Sequence, residues 1–354
     1  MEEHELRRAR LAELVAGRDV PAALITDLVN VRYLTGLASS NAALLVRADG
    51  TALLATDARY AGTARRVCPE LELLVTRPVA VELATRAKAA RLAYEEHQVT
   101  VERHGEIAAA ADGELVPLGR AVEGLRQVKD EAEIALLREA CALTDRAFDA
   151  VLPTIAPGVT ERQIAIALER QMVDLGAEAP AFASIVAGGP NGAVPHHRPG
   201  DRPLAAGDLL TMDFGALYGG YHADMTRTVA VGEPAGWQRE IYDLVHAAQR
   251  AGIEAARPGA AAHDVDAAAR TVIVEAGHGD DFPHGLGHGV GLAIHEAPLM
   301  GYDRTAKLAD RVPITAEPGV YLAGRGGVRI EDTLVVRADG PEILTRTTKE
   351  LLVL

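Results

Sequence analysis

Two carboxylates stand where a hairpin would bring them face to face. Asp213 ends the apolar run 209–212, and Asp224 follows the turn residues 218–220. If the chain folds back at Tyr218 and Gly219, Asp213 lies opposite Asp224, with Cβ atoms about 5 Å apart. Two like charges at that distance repel each other, and a divalent cation between them would offset the repulsion. The spacing therefore predicts a metal site.

A second pair of carboxylates repeats this arrangement. Glu317 follows the apolar run 314–316, glycines crowd the turn around Gly324, and Glu331 ends the returning segment 328–331. Folding about Gly324 places Glu317 opposite Glu331. Each hairpin alone is explained as well by a plain turn with acidic edges. Two facing acid pairs in one region favour a functional site instead.

The histidines concentrate in the same region, since nine of the 12 lie between His196 and His295. His284 and His288 have the i, i+4 spacing of a zinc-peptidase helix. However, the intervening glycines each cost a helix about 1 kcal/mol, and the glutamate of that motif is missing. The alternating glycines predict an extended segment, with both side chains on one face. His288 is the candidate ligand, and we expect structural roles for His222, His246, His263 and His278.

Carboxylates with one imidazole form a mixed oxygen and nitrogen ligand set without thiolate. Such a set suits Mn, Co, Fe or Zn rather than a structural zinc site built from cysteines. Two metal ions that share bridging carboxylates would activate a water as hydroxide between them. The predicted reaction class is hydrolysis.

The elements that must position these residues form two regions. The first 120 residues have the pattern of an α/β unit: the predicted helices are 5–15, 60–67 and 81–90, and the predicted buried strands are 22–26, 42–46, 52–55 and 71–75. A long amphipathic helix follows over about 127–152. Further helices are predicted from the Thr160 capping box to about Gly176, over 237–256 and over 262–277, with strands and turns in 183–233 and 283–337.

Composition agrees with two domains and limits the partners. The chain has 354 residues, with 48% hydrophobic and 24% charged residues and a net charge of −14. This acidity argues against a general nucleic-acid binder. The two cysteines form no metal or disulfide motif, which favours a reducing compartment. The acidic start, residues 1–5, has no signal-peptide pattern and no apolar run is long enough to cross a membrane, so we expect a cytoplasmic protein.

Taken together, these segments resemble the pita-bread metallopeptidases, especially the Xaa-Pro branch of prolidase and aminopeptidase P. The matching segments, in family order, are residues 184–192 with Pro195 and His196, then 212–215, 220–228, 284–292, 295–298, 317–319 and 328–332. Residues 30–36 resemble that branch's N-terminal domain. The resemblance implies an α/β creatinase-like domain over 1–122 and an α+β pita-bread catalytic domain over 123–354.

The resemblance also implies roles for individual residues. Asp213 would bind one metal ion, Asp224 and Glu331 would bridge two, and His288 and Glu317 would complete the second site. The other implied roles are proximity to the leaving proline for His196, contact with substrate and tetrahedral intermediate for His284 and His295, and support of the site for Arg329. Glu317 would also carry a proton to the proline nitrogen. His196 is preferred to His197 because it directly follows Pro195.

The implied activity is cleavage of the Xaa-Pro bond by two divalent metal ions, with Mn²⁺ expected first and Co²⁺, Zn²⁺ or Fe²⁺ as alternatives. The N-terminal region argues against a methionine aminopeptidase, and the intact ligand set argues against a creatinase or a non-enzymatic binding paralogue. The short N-terminal domain favours a prolidase-like dipeptidase over an aminopeptidase P. The residues that would anchor a substrate carboxylate are not identifiable from the sequence. The family further implies a homodimer, and no nucleic-acid or membrane partner is expected.

Overall fold

The computed structural model describes residues 3–354, which form two compact units, residues 3–126 and residues 127–354. Met1 and Glu2 lie outside the described residues, so the acidic start and the predicted domain 1–122 fall partly there. The predicted boundary between residues 122 and 123 lies inside the helix Ala121–Gln127.

The first unit is built on a six-stranded mixed sheet with the order β4-β3-β2-β1-β5-β6. Its helices are α1 (Glu3–Ala16), α2 (Leu28–Thr35), α3 (Ala61–Val67), α4 (Val79–Ala87), α5 (Val101–Ala110) and α6 (Ala121–Gln127), and its strands are β1 (Ala22–Ile25), β2 (Ala42–Arg47), β3 (Ala52–Thr56), β4 (Glu72–Val75), β5 (Arg91–Tyr94) and β6 (Glu114–Pro117). The predicted helices and strands of this region are confirmed within a few residues.

One expectation about the first unit is wrong. The predicted strand 71–75 exists as β4, but none of its four residues is buried. The reason is that β4 is an edge strand, paired only with β3 among the described residues. Strands β1 and β2, which lie in the middle of the sheet, are buried along almost their whole length.

The second unit contains four long helices: α7 (Glu131–Val151), α8 (Glu161–Asp174), α9 (Gly236–Ala255) and α10 (Ala262–Glu275). The predicted helix over 127–152 begins later than expected, because Asp130 and Glu133 form a capping box that starts α7 at Glu131. The capping box predicted at Thr160 is confirmed, with Gln163 as its partner at the start of α8.

The strands of the second unit form several small antiparallel sheets with the orders β11-β10-β7, β12-β9-β8, β14-β13-β15-β18-β19 and β16-β17. They are β7 (Ala179–Pro180), β8 (Ile185–Gly188), β9 (Asp208–Phe214), β10 (Ala216–Tyr218), β11 (Tyr221–His222), β12 (Met225–Val231), β13 (Gly287–Gly289), β14 (Glu296–Met300), β15 (Pro313–Ala316), β16 (Gly319–Leu322), β17 (Gly326–Arg329), β18 (Asp332–Val335) and β19 (Glu342–Ile343). All of these sheets are antiparallel, which is typical of an α+β domain.

Strand alternation decides which side chains reach the candidate site. Leu210, Met212 and Phe214 of β9 pack into a core with residues of α7 and α8. Successive strand residues point to opposite faces of a sheet. Asp213 therefore projects away from that core.

In the described residues, no helix is long and apolar enough to cross a bilayer.

Candidate active site

The predicted site residues surround one cavity of about 610 Å³ in the second unit. The residues on its wall include Asp213, Asp224, His288, Glu317, His196, His284, His295 and Arg329. Glu331, the remaining predicted residue, is 1% exposed and is not part of the wall. Residues separated by up to about 130 positions in sequence thus meet at one place. The acids and His288 were expected there from their chemistry, and His196, His284, His295 and Arg329 from the family resemblance.

The first acidic hairpin has a different register from the predicted one. Asp213 pairs with Thr226 rather than with Asp224. The turn consists of Gly219 and Gly220, both with positive φ, between the paired Tyr218 and Tyr221. A two-residue hairpin turn favours positive φ at both central positions, which two glycines provide and the predicted Tyr218–Gly219 pair does not. The register places Asp224 on the diagonal from Asp213, on the same face of the hairpin.

The second acidic hairpin confirms the prediction. Ala316 pairs with Asp332 on one side of the two acids, and Gly319 pairs with Arg329 on the other. Both pairs belong to the same register, which sets Glu317 opposite Glu331. The acids occupy the break between the β15–β18 ladder and the β16–β17 ladder.

Three of the proposed ligands lie within reach of one small ion, and a fourth, Glu317, lies beside His288. His288 Nε2 is 3.5 Å from Asp224 Oδ2 and 3.5 Å from Glu317 Oε1. One ligand atom each from Asp224, His288 and Glu331 lie within 4.8 Å of one another. His288 Nδ1 bonds to the carbonyl oxygen of Gly289 at 3.0 Å, so it carries the proton and the lone pair of the neutral ring lies on Nε2. A lone pair facing two carboxylates fits a cation held between them.

Two carboxylate oxygens of the cluster are unsatisfied. Among the described residues, Asp213 Oδ1 and Glu331 Oε1 are buried without a hydrogen-bond partner. Their other oxygens are bonded: Arg329 Nη2 donates to Asp213 Oδ2 at 2.7 Å, and Thr226 Oγ1 donates to Glu331 Oε2 at 2.7 Å. Buried polar atoms are normally paired, so these two oxygens fit a cation bound at the cluster.

The electrostatics of the cluster lead to the same conclusion. Burial, followed by repulsion from Asp213 and Glu317, raises the pKa of Asp224 well above its ordinary value. Burial, followed by repulsion from Asp224 and Glu317, raises the pKa of Glu331 in the same way. The pKa of Glu317 is raised as well, chiefly by burial. A divalent cation would reverse the repulsion and favour the charged carboxylates.

A tyrosine that the sequence analysis missed joins Arg329 to His284. Arg329 Nη1 donates to the Tyr321 hydroxyl oxygen at 3.0 Å, and the hydroxyl lies 2.8 Å from His284 Nε2. His284 Nδ1 bonds to the Gly285 carbonyl at 2.8 Å, so Nε2 accepts the tyrosine proton. Burial lowers the pKa of His284 to about 4 and raises that of Tyr321 to about 12. Strand alternation from Glu317 through Gly319 was the available signal for Tyr321.

The histidines on the cavity wall have different surroundings from the other histidines. His196 lines the cavity, whereas His197 Nε2 lies 2.8 Å from Glu161 Oε2, which supports the preference for His196. The ring of His295 stands 4.5 Å from that of His288, and burial lowers the pKa of His295. The histidines expected to be structural do not line the cavity: His222 bonds to the Gly291 carbonyl, and His263 and His278 pair with Asp264 and Asp281.

Arg304 is a second residue that the sequence analysis missed. It lies on the cavity wall, and its Nε is 3.0 Å from Asp303 Oδ1, with both side chains about half exposed. Its carbonyl oxygen accepts a hydrogen bond from the His263 amide at 2.9 Å, which ties the loop to the start of α10. No motif marks this arginine, since its position depends on how the loop 301–312 folds.

Comparison with known proteins covers both units. Residues 135–338 match the sequence pattern of metallopeptidase family M24, and residues 7–128 match the creatinase/prolidase N-terminal domain. An uncharacterized peptidase of Bacillus subtilis, YqhT, is 36% identical over 354 residues, which cover 99% of this chain and 100% of that protein.

Two solved structures are similar over nearly the whole chain. The Xaa-Pro dipeptidase from Bacillus anthracis has a TM-score of 0.96 and 35% identity, covering 99% of this chain and 100% of that one. The X-Pro aminopeptidase from Thermotoga maritima has a TM-score of 0.89 and 34% identity, covering 95% and 98%.

Proposed function

This chain belongs to metallopeptidase family M24, with a creatinase-type N-terminal domain before a pita-bread catalytic domain, and on that premise we propose that it is a prolidase-like Xaa-Pro dipeptidase. The observation that carries the proposal is the buried acidic cluster, with two unpartnered carboxylate oxygens, at a cavity large enough for a dipeptide. Hydrolysis by this enzyme breaks the bond between the Xaa carbonyl and the proline nitrogen.

Two divalent metal ions would be held by Asp213, Asp224, His288, Glu317 and Glu331, with Asp224 and Glu331 shared between them. When bound, the ions would polarise the scissile carbonyl and lower the pKa of a water molecule. The ligand set suits Mn²⁺ first, with Co²⁺, Zn²⁺ and Fe²⁺ as alternatives.

The protein's own groups would handle the proton and the developing charge. Glu317 lies on the cavity wall beside His288, where its carboxylate would take a proton and deliver it to the leaving proline nitrogen. His295 lines the cavity and would stabilise the negative charge that forms on the carbonyl oxygen, and His196, also on the wall, would lie near the leaving proline. Both ring nitrogens of His284 are already bonded, so it would act through the Tyr321 hydroxyl, which Arg329 also contacts.

Arg304 supports the dipeptidase over the aminopeptidase. An Xaa-Pro dipeptide ends in a carboxylate directly after the proline ring, and a cation near the proline side would bind it. Of the two arginines on the wall within the described chain, Arg329 is bonded to Asp213 and Tyr321. Arg304 is paired with Asp303 through Nε but is about half exposed, so it is the better placed to receive a substrate carboxylate. A longer peptide carries an amide at that position and would lose this contact.

The discriminating experiment compares an Xaa-Pro dipeptide with an Xaa-Pro-Yaa tripeptide, with and without Mn²⁺. We expect metal-dependent hydrolysis and a higher kcat/KM for the dipeptide. A charge-assisted hydrogen bond contributes about 1.5–3 kcal/mol, so Arg304→Ala should lower the dipeptide kcat/KM about 10–100-fold and the tripeptide value much less. Arg325→Ala, in the β16–β17 turn, is the control and should change neither.

The alternatives make different predictions in the same assay. A better tripeptide substrate would identify an aminopeptidase P. Peptide binding without metal or hydrolysis would identify a binding paralogue. The proposal also includes a homodimer, for which a monomeric mass by light scattering would be contrary evidence. Cys68 and Cys141 are both free and buried, which supports the proposed cytoplasmic location.

A further inference from the structure

A buried glutamate outside the metal cluster makes its side-chain hydrogen bonds to one loop. Glu161, the first residue of α8, is completely buried. Its Oε1 accepts hydrogen bonds from the Gly188 amide and from Asn191 Nδ2, both at 2.8 Å. Its Oε2 accepts bonds from His197 Nε2 at 2.8 Å and from the Gly200 amide at 3.1 Å. The four donors all belong to residues 188–200.

This loop carries His196 to the cavity wall. The residue before it, Pro195, is contacted from the opposite side by Arg329, whose Nη1 lies 3.4 Å from the Pro195 carbonyl oxygen. Gly192 packs so closely on Gly327 of β17 that a Cβ at Gly192 would lie 3.1 Å from the Gly327 nitrogen. The loop is therefore fixed by Glu161 on one side and by the site itself on the other.

Because burying a carboxylate is costly, the burial of Glu161 indicates that its hydrogen bonds to the loop are important. A buried carboxylate loses its hydration, and only hydrogen bonds or charges in the protein can replace it. Hydrogen bonds to the charged form outweigh burial here, because the pKa of Glu161 lies below its ordinary value. Its place in the first turn of α8 also favours the negative charge. Replacing the carboxylate would leave several loop donors unpaired at once.

We propose that Glu161 is a positioning residue that holds His196 against the cavity and thereby sets the rate of peptide hydrolysis without contacting substrate or metal ligands. The inference rests on the proposed function for its kinetic readout. Glu161 belongs to no motif of the site, and its partners lie 27 to 39 residues away in sequence. His197 is bonded to this glutamate, so it does not take the role given to His196.

The test is a double-mutant cycle between Glu161→Gln and His196→Ala, assayed with an Xaa-Pro dipeptide and Mn²⁺. Glutamine places an NH₂ group where Oε2 receives two donors, so the loop must shift. A displacement of about 1 Å at a positioning element can lower the rate about 100-fold. We expect each single variant to lose about 10–100-fold in kcat/KM. The double variant should lose no more than the worse single variant, because both act through the same side chain.

Two further measurements separate positioning from general damage. Mn²⁺ affinity by calorimetry should be unchanged in Glu161→Gln, because none of its contacts is a proposed ligand. The NMR signal of His196, assigned by its loss in His196→Ala, should shift or broaden in Glu161→Gln, and this readout does not depend on activity. Arg162→Gln is the matched control: Arg162 is the next residue of α8 and binds Asp201 on the surface, and its substitution should leave rate and signal unchanged.

Each outcome decides between the two claims. Additive losses, a fall in Mn²⁺ affinity or an unmoved His196 signal would overturn the role of Glu161. Full activity of His196→Ala would refute the part given to His196 in the proposed function, while the NMR result would still test the positioning. If Glu161→Gln does not fold, Asn191→Ala and His197→Asn each remove one of the four bonds. They should cause smaller losses in the same direction, and wild-type behaviour of both would overturn the proposal.

Discussion

Glu95 in the first unit and the acidic cluster in the second unit are buried in opposite ways. In the first unit, Glu95 is completely buried, and its oxygens accept bonds from the amides of Thr26 and Asp27 at 2.6 and 2.8 Å and from Asn30 Nδ2 at 2.6 Å. In the second unit, Asp213 and Glu331 each retain one oxygen without a partner among the described residues. Satisfied carboxylates hold a fold together, whereas unsatisfied ones that face each other indicate a ligand.

Glu123 shows that a single unsatisfied oxygen is not enough. Its Oε2 has no partner within the described part of the first unit, but its Oε1 lies 2.7 Å from His97 Nε2. The one group of three ligating side chains found among the described residues is Asp224, His288 and Glu331. The contrast therefore depends on several acids that converge at one place.

Glu331→Gln should have the largest effect. It removes a charge that the proposed metal ions need, and metal ions supply several kcal/mol of transition-state stabilisation. We expect kcat/KM to fall by at least about 10³-fold, as a loss of about 4 kcal/mol implies. The metal content, measured by mass spectrometry, should fall below two ions per chain.

The metal-free form of the same variant should become more stable to denaturant, because a repelled buried charge is gone. Glu342→Gln is the control, since Glu342 is bonded to Arg138 and Arg337 outside the cluster, and it should retain both metal ions. Two bound ions and full activity in Glu331→Gln would contradict the interpretation of the unsatisfied carboxylates as a metal site.

Glu95→Ala should have the opposite profile. Its loss leaves two backbone amides and the Asn30 side chain without their acceptor, which should destabilise the protein by about 2–5 kcal/mol. Chemical denaturation monitored by circular dichroism measures the effect. Metal content and kcat/KM of the folded fraction should not change. Glu102→Ala, at an exposed position of α5, should change stability by less than about 0.5 kcal/mol.

Thr226→Val tests the support behind one ligand. The Thr226 hydroxyl donates to Glu331 Oε2 and accepts from Arg329 Nε at 3.1 Å. Groups that orient metal ligands typically contribute 10–100-fold to metal affinity, so Mn²⁺ binding by calorimetry should weaken by about that factor. Thr211→Val removes a buried hydroxyl that bonds to Thr228 instead, and it should leave the affinity unchanged.

The smallest effect concerns pH. Burial lowers the pKa of His284 to about 4 from an ordinary 6.5, so the folded protein favours the neutral ring. The stability from this group is present above pH 6.5 and is lost as the pH falls from 6.5 towards 4. In His284→Gln, the loss of unfolding free energy between pH 7 and pH 4.5, measured in chelator, should be smaller than in the wild type. His246→Gln, outside the cavity, should behave like the wild type.

The sequence predicted which residues form the site more accurately than it predicted the local geometry of the hairpins. The chemistry and spacing of the residues brought together the acids and His288, whereas His196, His284 and His295 were assigned to the site by the family resemblance. The second hairpin was predicted in register because its turn centres on Gly324. The first was wrong because the adjacent glycines Gly219 and Gly220 form the turn, and a one-residue error in a turn moves the facing pair by two positions.

The missed residues share a physical reason. Tyr321 contacts His284, which is 37 residues away in sequence, and the position of Arg304 depends on how the loop 301–312 folds; neither residue belongs to a motif. Glu161 was recognised only as part of a capping-box pattern, because a helix start is a local feature whereas its four loop partners are not. Local periodicity predicts where elements begin, but it does not predict which side chains meet across them.

The shared register of the two ladders around Glu317 and Glu331 has a consequence for how this region tolerates changes in length. Residues 323–325 lie beyond the last pair, Leu322 with Gly326, so a longer turn there leaves every pairing below it in place. One residue added between Ala316 and Glu317 would shift one arm against the other and turn Glu317 to the opposite face. Insertions of a short peptide should therefore be accepted at the turn and rejected seven residues earlier.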